Sequence, residues 1–137
     1  MKHIFYTYIF FIPLVAFITT VILKFFIEKI KVWKWNIARS ISSWWMPSSH
    51  SAIVTSLTMA IFLKEWFDST YFALAFSFSS IVIYDALNIR YQAWLHAKEI
   101  NKINWNNNYN ESLWHLPSEV FVWSIIGILT AFILYYI

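Results

Sequence analysis

The sequence predicts an all-α membrane protein of about four transmembrane helices, with amphipathic helices at the lipid–water boundary. Three observations predict it. Of 137 residues, 60% are hydrophobic and only 12% are charged, whereas soluble domains carry about a quarter charged residues. Apolar runs recur at lengths suited to a bilayer core of about 30 Å. Most of the charges gather between those runs; Lys24, Asp85 and Glu119 fall near the ends of them. A single glycine and three prolines offer few helix breakers. At this length the chain reads as one membrane-embedded domain, residues 1–137.

Taken in order, the first run extends from Ile4 to Ile27, free of charge until Lys24, with Pro13 as a candidate kink. It is long for the apolar part of a signal peptide and lacks a small-residue cleavage pattern, so it reads as a retained span. From Glu28 to Ser43, Lys29, Lys31, Lys34 and Arg39 alternate with Trp33, Trp35 and aliphatic residues. That mixture suits an interfacial helix. The second span covers Trp44 to Leu63 and ends in the polar turn Lys64 to Ser69. The third, Thr70 to Leu87, is rich in Ala, Phe and Ser, and its small residues permit close helix packing. Tyr91 to Ile103 forms a second amphipathic surface segment, with Ala93, Trp94, Ala97 and Ile100 on its apolar side. Asn104 to Asn110 is a surface connection, and the last span runs from Pro117 to Ile137.

Four spans that alternate in direction sort the polar residues by membrane face. Lys24, Arg39, Ser48, Ser49, His50, Asp85, Arg90, His115 and Glu119 fall together on one face, and Lys2, His3, Lys64, Glu65 and Asp68 on the other. Cysteine is absent, which excludes disulfides, thiolate nucleophiles and cysteine-bound clusters. A net charge of +3 on so apolar a chain points to anionic lipid head groups and not to nucleic acid.

Within the gathered group, Met46-Pro47-Ser48-Ser49-His50 opens a helix. Proline suits the first turn, serine hydroxyls suit the cap, and the unpaired N–H groups there attract a phosphate. His50 adds a proton carrier. His115 and Glu119, four apart at the start of the last span, share one helix face, so the carboxylate can fix the imidazole tautomer and leave the other nitrogen nucleophilic. Lys24 and Arg90 each sit at the end of an apolar run, where charge is costly and tends to be functional. Arg39 is intermediate. Asp85 can pair with Arg90 or Lys24, or orient a histidine, and a structural pair with Arg90 is the favoured role. Lys29, Lys31, Lys34, Lys98 and Lys102 read as surface anchors, and His3 and His96 as surface residues. No metal-ligand cluster emerges from the spacing. Two histidines, several cations and a helix start are the ingredients of phosphoryl transfer.

These residues resemble a known pattern. Met46-Pro47-Ser48-Ser49-His50-Ser51-Ala52, Tyr84-Asp85-Ala86 with Arg90, and His115-Leu116-Pro117-Ser118-Glu119-Val120 are similar to the small divergent branch of the type 2 phosphatidic acid phosphatase and vanadium haloperoxidase superfamily. Lys24, with Arg39, resembles the first superfamily signature. Pro47 to His50 resembles the second, with Ser49 in place of glycine. Arg90, His115 and Glu119 resemble the third, with glutamate for aspartate and a longer gap before the histidine. The resemblance implies that His115 attacks phosphorus and that His50 protonates the leaving oxygen and then activates water. Lys24, Arg39, Ser48, Ser49 and Arg90 would hold the phosphate, with no metal or other cofactor.

The expected function is therefore a membrane phosphatase acting on a lipid phosphate such as phosphatidic acid, phosphatidylglycerophosphate or an isoprenoid diphosphate. The competing expectation is a non-catalytic phospholipid-binding or lipid-translocating protein. Small-residue helix faces allow a homo-oligomer in either case. Of the ten Lys and Arg residues, only Lys2 and Lys64 fall on the opposite face, which predicts an inner or plasma membrane protein with its site on the cytoplasmic side.

Overall fold

The computed structural model describes residues 9–32, 49–103, 109, 111 and 116–137, with side chains through residue 27 in the first stretch. Among the described residues there are five α-helices: α1 (Phe11–Val32), α2 (Ser49–Glu65), α3 (Thr70–Tyr84), α4 (Arg90–Ile103) and α5 (Pro117–Tyr136). A π-helical turn, Asp85–Ile89, joins α3 to α4. Among the described residues there is no strand. The protein is an all-α membrane protein, as its composition predicts.

Helix α2 lies at the centre, packed by α5, α3 and α1, and α1 also meets α5. Its sequence explains that position. Ala52, Ser56 and Ala60 recur every fourth residue and are all fully buried, which lines the smallest side chains along one stripe. Helix α5 answers with Val120, Trp123, Gly127 and Ala131. The chain's single glycine stands at the closest approach. A Cβ on Gly127 would overlap the Ala52 carbonyl oxygen and Thr55 Oγ1, and would lie 2.9 Å from Ala52 Cα.

Cross-helix hydrogen bonds give the directions. Thr55 Oγ1 donates to the Ser124 carbonyl at 3.1 Å and Tyr135 Oη to the Leu63 carbonyl at 2.8 Å, so α2 and α5 run parallel. Ser79 Oγ donates to the Val54 carbonyl at 3.0 Å and lies 2.6 Å from Thr58 Oγ1, while Thr58 also reaches the Ala75 carbonyl. Helix α3 therefore runs antiparallel to α2. Ile12, near the start of α1, packs with Ala60 and Ala131 near the ends of α2 and α5, so α1 is antiparallel to both.

The bundle is apolar outside as well as inside. Phe26, Phe76, Phe121 and Leu129 all stand more than half exposed, the arrangement expected of a protein whose solvent is lipid. The continuous helical stretch Thr70–Ile103 and helix α5 are each long and apolar enough to cross a membrane, and Phe11–Ile27 is a shorter apolar helix.

The boundaries differ from the sequence expectation in three places. Helix α1 begins at Phe11, so Pro13 sits in its first turn, where a missing N–H costs nothing and no kink is needed. At its other end α1 runs on to Val32, because nothing between Lys24 and Val32 breaks a helix. The third span and the surface segment Tyr91 to Ile103 are one continuous helical stretch through the π turn. Glu28–Val32 thus belong to α1. The rest of the expected interfacial segment and nearly all of Asn104 to Asn110 lie outside the described residues. Asn101 donates to the Tyr109 carbonyl and to Glu111 Oε1, both at 2.8 Å, and so ties the chain back onto α4 after that connection. The turn between α2 and α3 places Trp66 at a φ of 68°, a left-handed conformation ordinarily left to glycine. Stacking of Trp66 on Phe62, with centroids 5.1 Å apart, holds it there.

Candidate phosphate site at one end of the bundle

The site begins with the buried stripe of α1. Ile12, Ala16, Thr20 and Lys24 follow one another at four-residue intervals and none is more than 4% exposed. On a helix that spacing keeps all four on one face. The lysine thus points where the isoleucine and alanine point, into the bundle. Among the described residues no carboxylate or other acceptor bonds its ammonium. Ser49, the first residue of α2, is also buried, with no hydrogen bond to its hydroxyl among the described residues.

The second wall is the π turn. On an α-helix, residues five apart are separated by about 140° around the axis and do not meet. The wider turn changes this: the Arg90 N–H bonds the Asp85 carbonyl, and Arg90 Nε donates to Asp85 Oδ2 at 2.8 Å. The ion pair exists because the helix is locally under-wound. Turns of this kind are frequent at functional sites. Both side chains remain about one-third exposed, at 32% and 34%, and among the described residues the guanidinium's other donors meet no acceptor.

His50, half-buried in the first turn of α2, has Arg90, Lys24 and Asp85 within electrostatic reach. Three helices therefore deliver a histidine, two cations, a carboxylate and a serine to one end of the bundle. Asp85 has taken Arg90, of the partners open to it, into a direct pair. Glu119 opens α5, and its Oε2 accepts the Leu116 N–H at 3.3 Å, capping the helix. His115, Arg39 and Ser48, the other site residues expected from the sequence, lie outside the described residues, as do Lys34 and the side chains of Lys29 and Lys31.

The remaining cations on this side are occupied elsewhere. Lys98 lies over the Trp94 ring at 5.0 Å, and Lys102 pairs with Glu99 at 2.6 Å. His96 is exposed on α4. The feature the sequence did not reveal is the π turn, since Asp85 to Ile89 carries no glycine, proline or other marker of an irregular helix.

Comparison with known proteins agrees with a membrane protein. YuiD, an uncharacterized membrane protein of Bacillus subtilis (strain 168), is 34% identical over 122 residues, which cover 74% of this chain and 76% of YuiD. No solved structure matches. The model of the divergent PAP2 family matches residues 5–130. That stretch runs from before α1 to within the last two turns of α5 and takes in every residue of the site, and the chain belongs to the divergent PAP2 family.

Proposed function

We propose that the protein is a metal-independent lipid phosphate phosphatase, with Lys24, Ser49 and Arg90 binding the phosphate, joined by Ser48 and Arg39 from the sequence pattern. The buried Lys24 ammonium carries this reading. A charge held away from water costs several kcal/mol unless it is paired; among the described residues Lys24 has no ion-pair partner, and a dianionic phosphate would supply one. His50 beside it can serve as the proton carrier. Helices α2 and α5 run parallel, so Glu119, in the first turn of α5, lies at the end of the bundle where α2 begins; His115 takes the nucleophile's role from the sequence pattern and lies outside the described residues.

The reaction has two steps. A ring nitrogen of His115, oriented by Glu119, attacks phosphorus; the bond to the lipid oxygen breaks, and His50 gives that oxygen its proton. His50, now neutral, takes a proton from water, whose oxygen attacks the phosphohistidine and releases inorganic phosphate. Stabilisation of the equatorial oxygens by Lys24 and Arg90 supplies the electrostatic part of catalysis. A lipid substrate follows from the location, because the site lies at the end of a bundle whose flanks face hydrocarbon. The excess of Lys and Arg on this end favours the cytoplasmic face.

The test is phosphate release from phosphatidic acid and phosphatidylglycerophosphate by detergent-purified protein. Orthovanadate should inhibit, and His115→Ala and His50→Ala should each abolish turnover. Lipid binding that persists without any phosphate release would instead mark a non-catalytic binding or translocating protein.

A further inference from the structure

A cavity of about 310 Å³ lies between α2, α3 and α5, within the range of small-molecule sites. We propose that it holds an acyl chain of the phospholipid whose phosphate occupies the Lys24 and His50 site; this rests on the phosphatase reading above.

The chemistry of the lining selects the occupant. Four hydroxyl residues border the cavity, and each has an acceptor within the helices for its single proton: Thr55 the Ser51 or Ser124 carbonyl, Thr58 and Ser79 the Val54 carbonyl or one another, and Ser80 the Phe76 carbonyl. With every hydroxyl proton turned into the helices, the cavity offers its occupant no donor. What remains is aromatic and aliphatic surface, suited to hydrocarbon and to nothing that needs hydrogen bonds.

Position selects which hydrocarbon. At the upper rim, Ile83 is two residues before Asp85, and Thr55 is five residues, about 7.5 Å of helix, below His50. At the lower end it is lined by Phe62 and Phe72, the former about 18 Å along α2 from His50. Along the axis of α2 the cavity therefore begins on the bilayer side of the phosphate site and descends into the bilayer. Phe76 and Ser80, on its lip, are exposed to the lipid side, so a chain can enter laterally. A lipid whose phosphate is held around His50, between Lys24 and the Arg90–Asp85 pair that continues α3, has a path for one tail down the α3 side of α2 into this opening.

The test uses phosphatidic acid with a diazirine midway along one acyl chain, incorporated into phosphatidylcholine vesicles with the purified protein. Photolysis should label peptides around Met59 and Phe76. Ser80→Trp plugs the lip, and its lost hydroxyl bonds only its own helix, so groove labelling should fall at least tenfold. Label on the lipid-facing Phe121 and Phe132 should stay unchanged. Ser80→Phe serves as a smaller plug with the same expected direction. Lys24→Met should also reduce groove labelling, by releasing the head group. Equal labelling by the matching diazirine diacylglycerol, or groove labelling indifferent to both plugs, overturns the proposal. Phosphate release is read separately. Groove labelling without turnover would refute the hydrolase and leave the groove; turnover without groove labelling would do the reverse.

Discussion

Lys24 is the residue at which packing and function pull apart. The stripe Ile12, Ala16, Thr20, Lys24 is buried throughout, and three of its members are there to pack. The fourth gains nothing from burial. Replacing it by methionine keeps the length of the side chain and removes the desolvated charge, so the expected outcome separates the two roles. Thermal unfolding of Lys24→Met in detergent should come at the same temperature or a few degrees higher. Its rate of phosphate release should fall on the order of 100-fold, the scale of losing one cation that stabilises a transition state. A lysine that merely braced the bundle would give the opposite pair of results. Asp85 behaves differently, because its pair with Arg90 is one-third exposed and such pairs are worth about 0.5–1 kcal/mol or less. Asp85→Asn should leave stability nearly intact and lower turnover by releasing Arg90. The charge of Lys24 at the end of an apolar run was legible in the sequence, and so was the pairing of Asp85 with Arg90. The under-wound turn that lets them meet was not legible, since a five-residue separation does not bring two side chains together on a regular helix.

At the scale of elements, the π turn decides where Arg90 points. Deleting Asn88 should restore an α-helical register and rotate α4 by about 100° relative to α3. That carries Arg90 off the site while leaving α1, α2, α3 and α5 packed as before. Circular dichroism and thermal unfolding should change little, and phosphate release should be lost. If turnover survives the deletion, the under-wound turn is incidental. The start of α3 is conventional by comparison. Ser69 Oγ accepts the Phe72 N–H at 3.1 Å, and Ser69→Ala should cost about 1 kcal/mol of stability with no effect on turnover per folded molecule. This start was readable from the polar run that ends in Ser69, as was that of α5 from Pro117. The continuity from α3 into α4 was hidden for a physical reason. A π turn needs no special residue, only a partner such as the Asp85–Arg90 pair to stabilise it, so composition around Asn88 and Ile89 looked like the end of a span.

At the scale of the whole molecule, the alternation of four spans was enough to place Lys24, His50, Asp85 and Arg90 at one end. The groove between α2 and α3 was not legible, because the many aromatics describe walls without saying which walls face each other. What turns separate spans into one bundle is the contact of α2 with α5, and Gly127 governs it. A methyl group there meets the Ala52 carbonyl and Thr55 Oγ1, which are backbone and a hydrogen-bonded hydroxyl, so neither can swing aside. The helices must separate instead. Gly127→Ala should therefore weaken the Thr55 bond to Ser124 and destabilise the bundle by about 1–3 kcal/mol, the usual cost of overpacking, despite alanine's higher helix propensity. The same displacement shifts the start of α5 relative to Ala52, two residues from His50. Hydrolysis should then fall even in the fraction that stays folded, whereas Gly→Ala at an open helix position would raise stability. A Gly127→Ala protein with a higher unfolding temperature and full turnover would mean that α2 and α5 are not held at this distance.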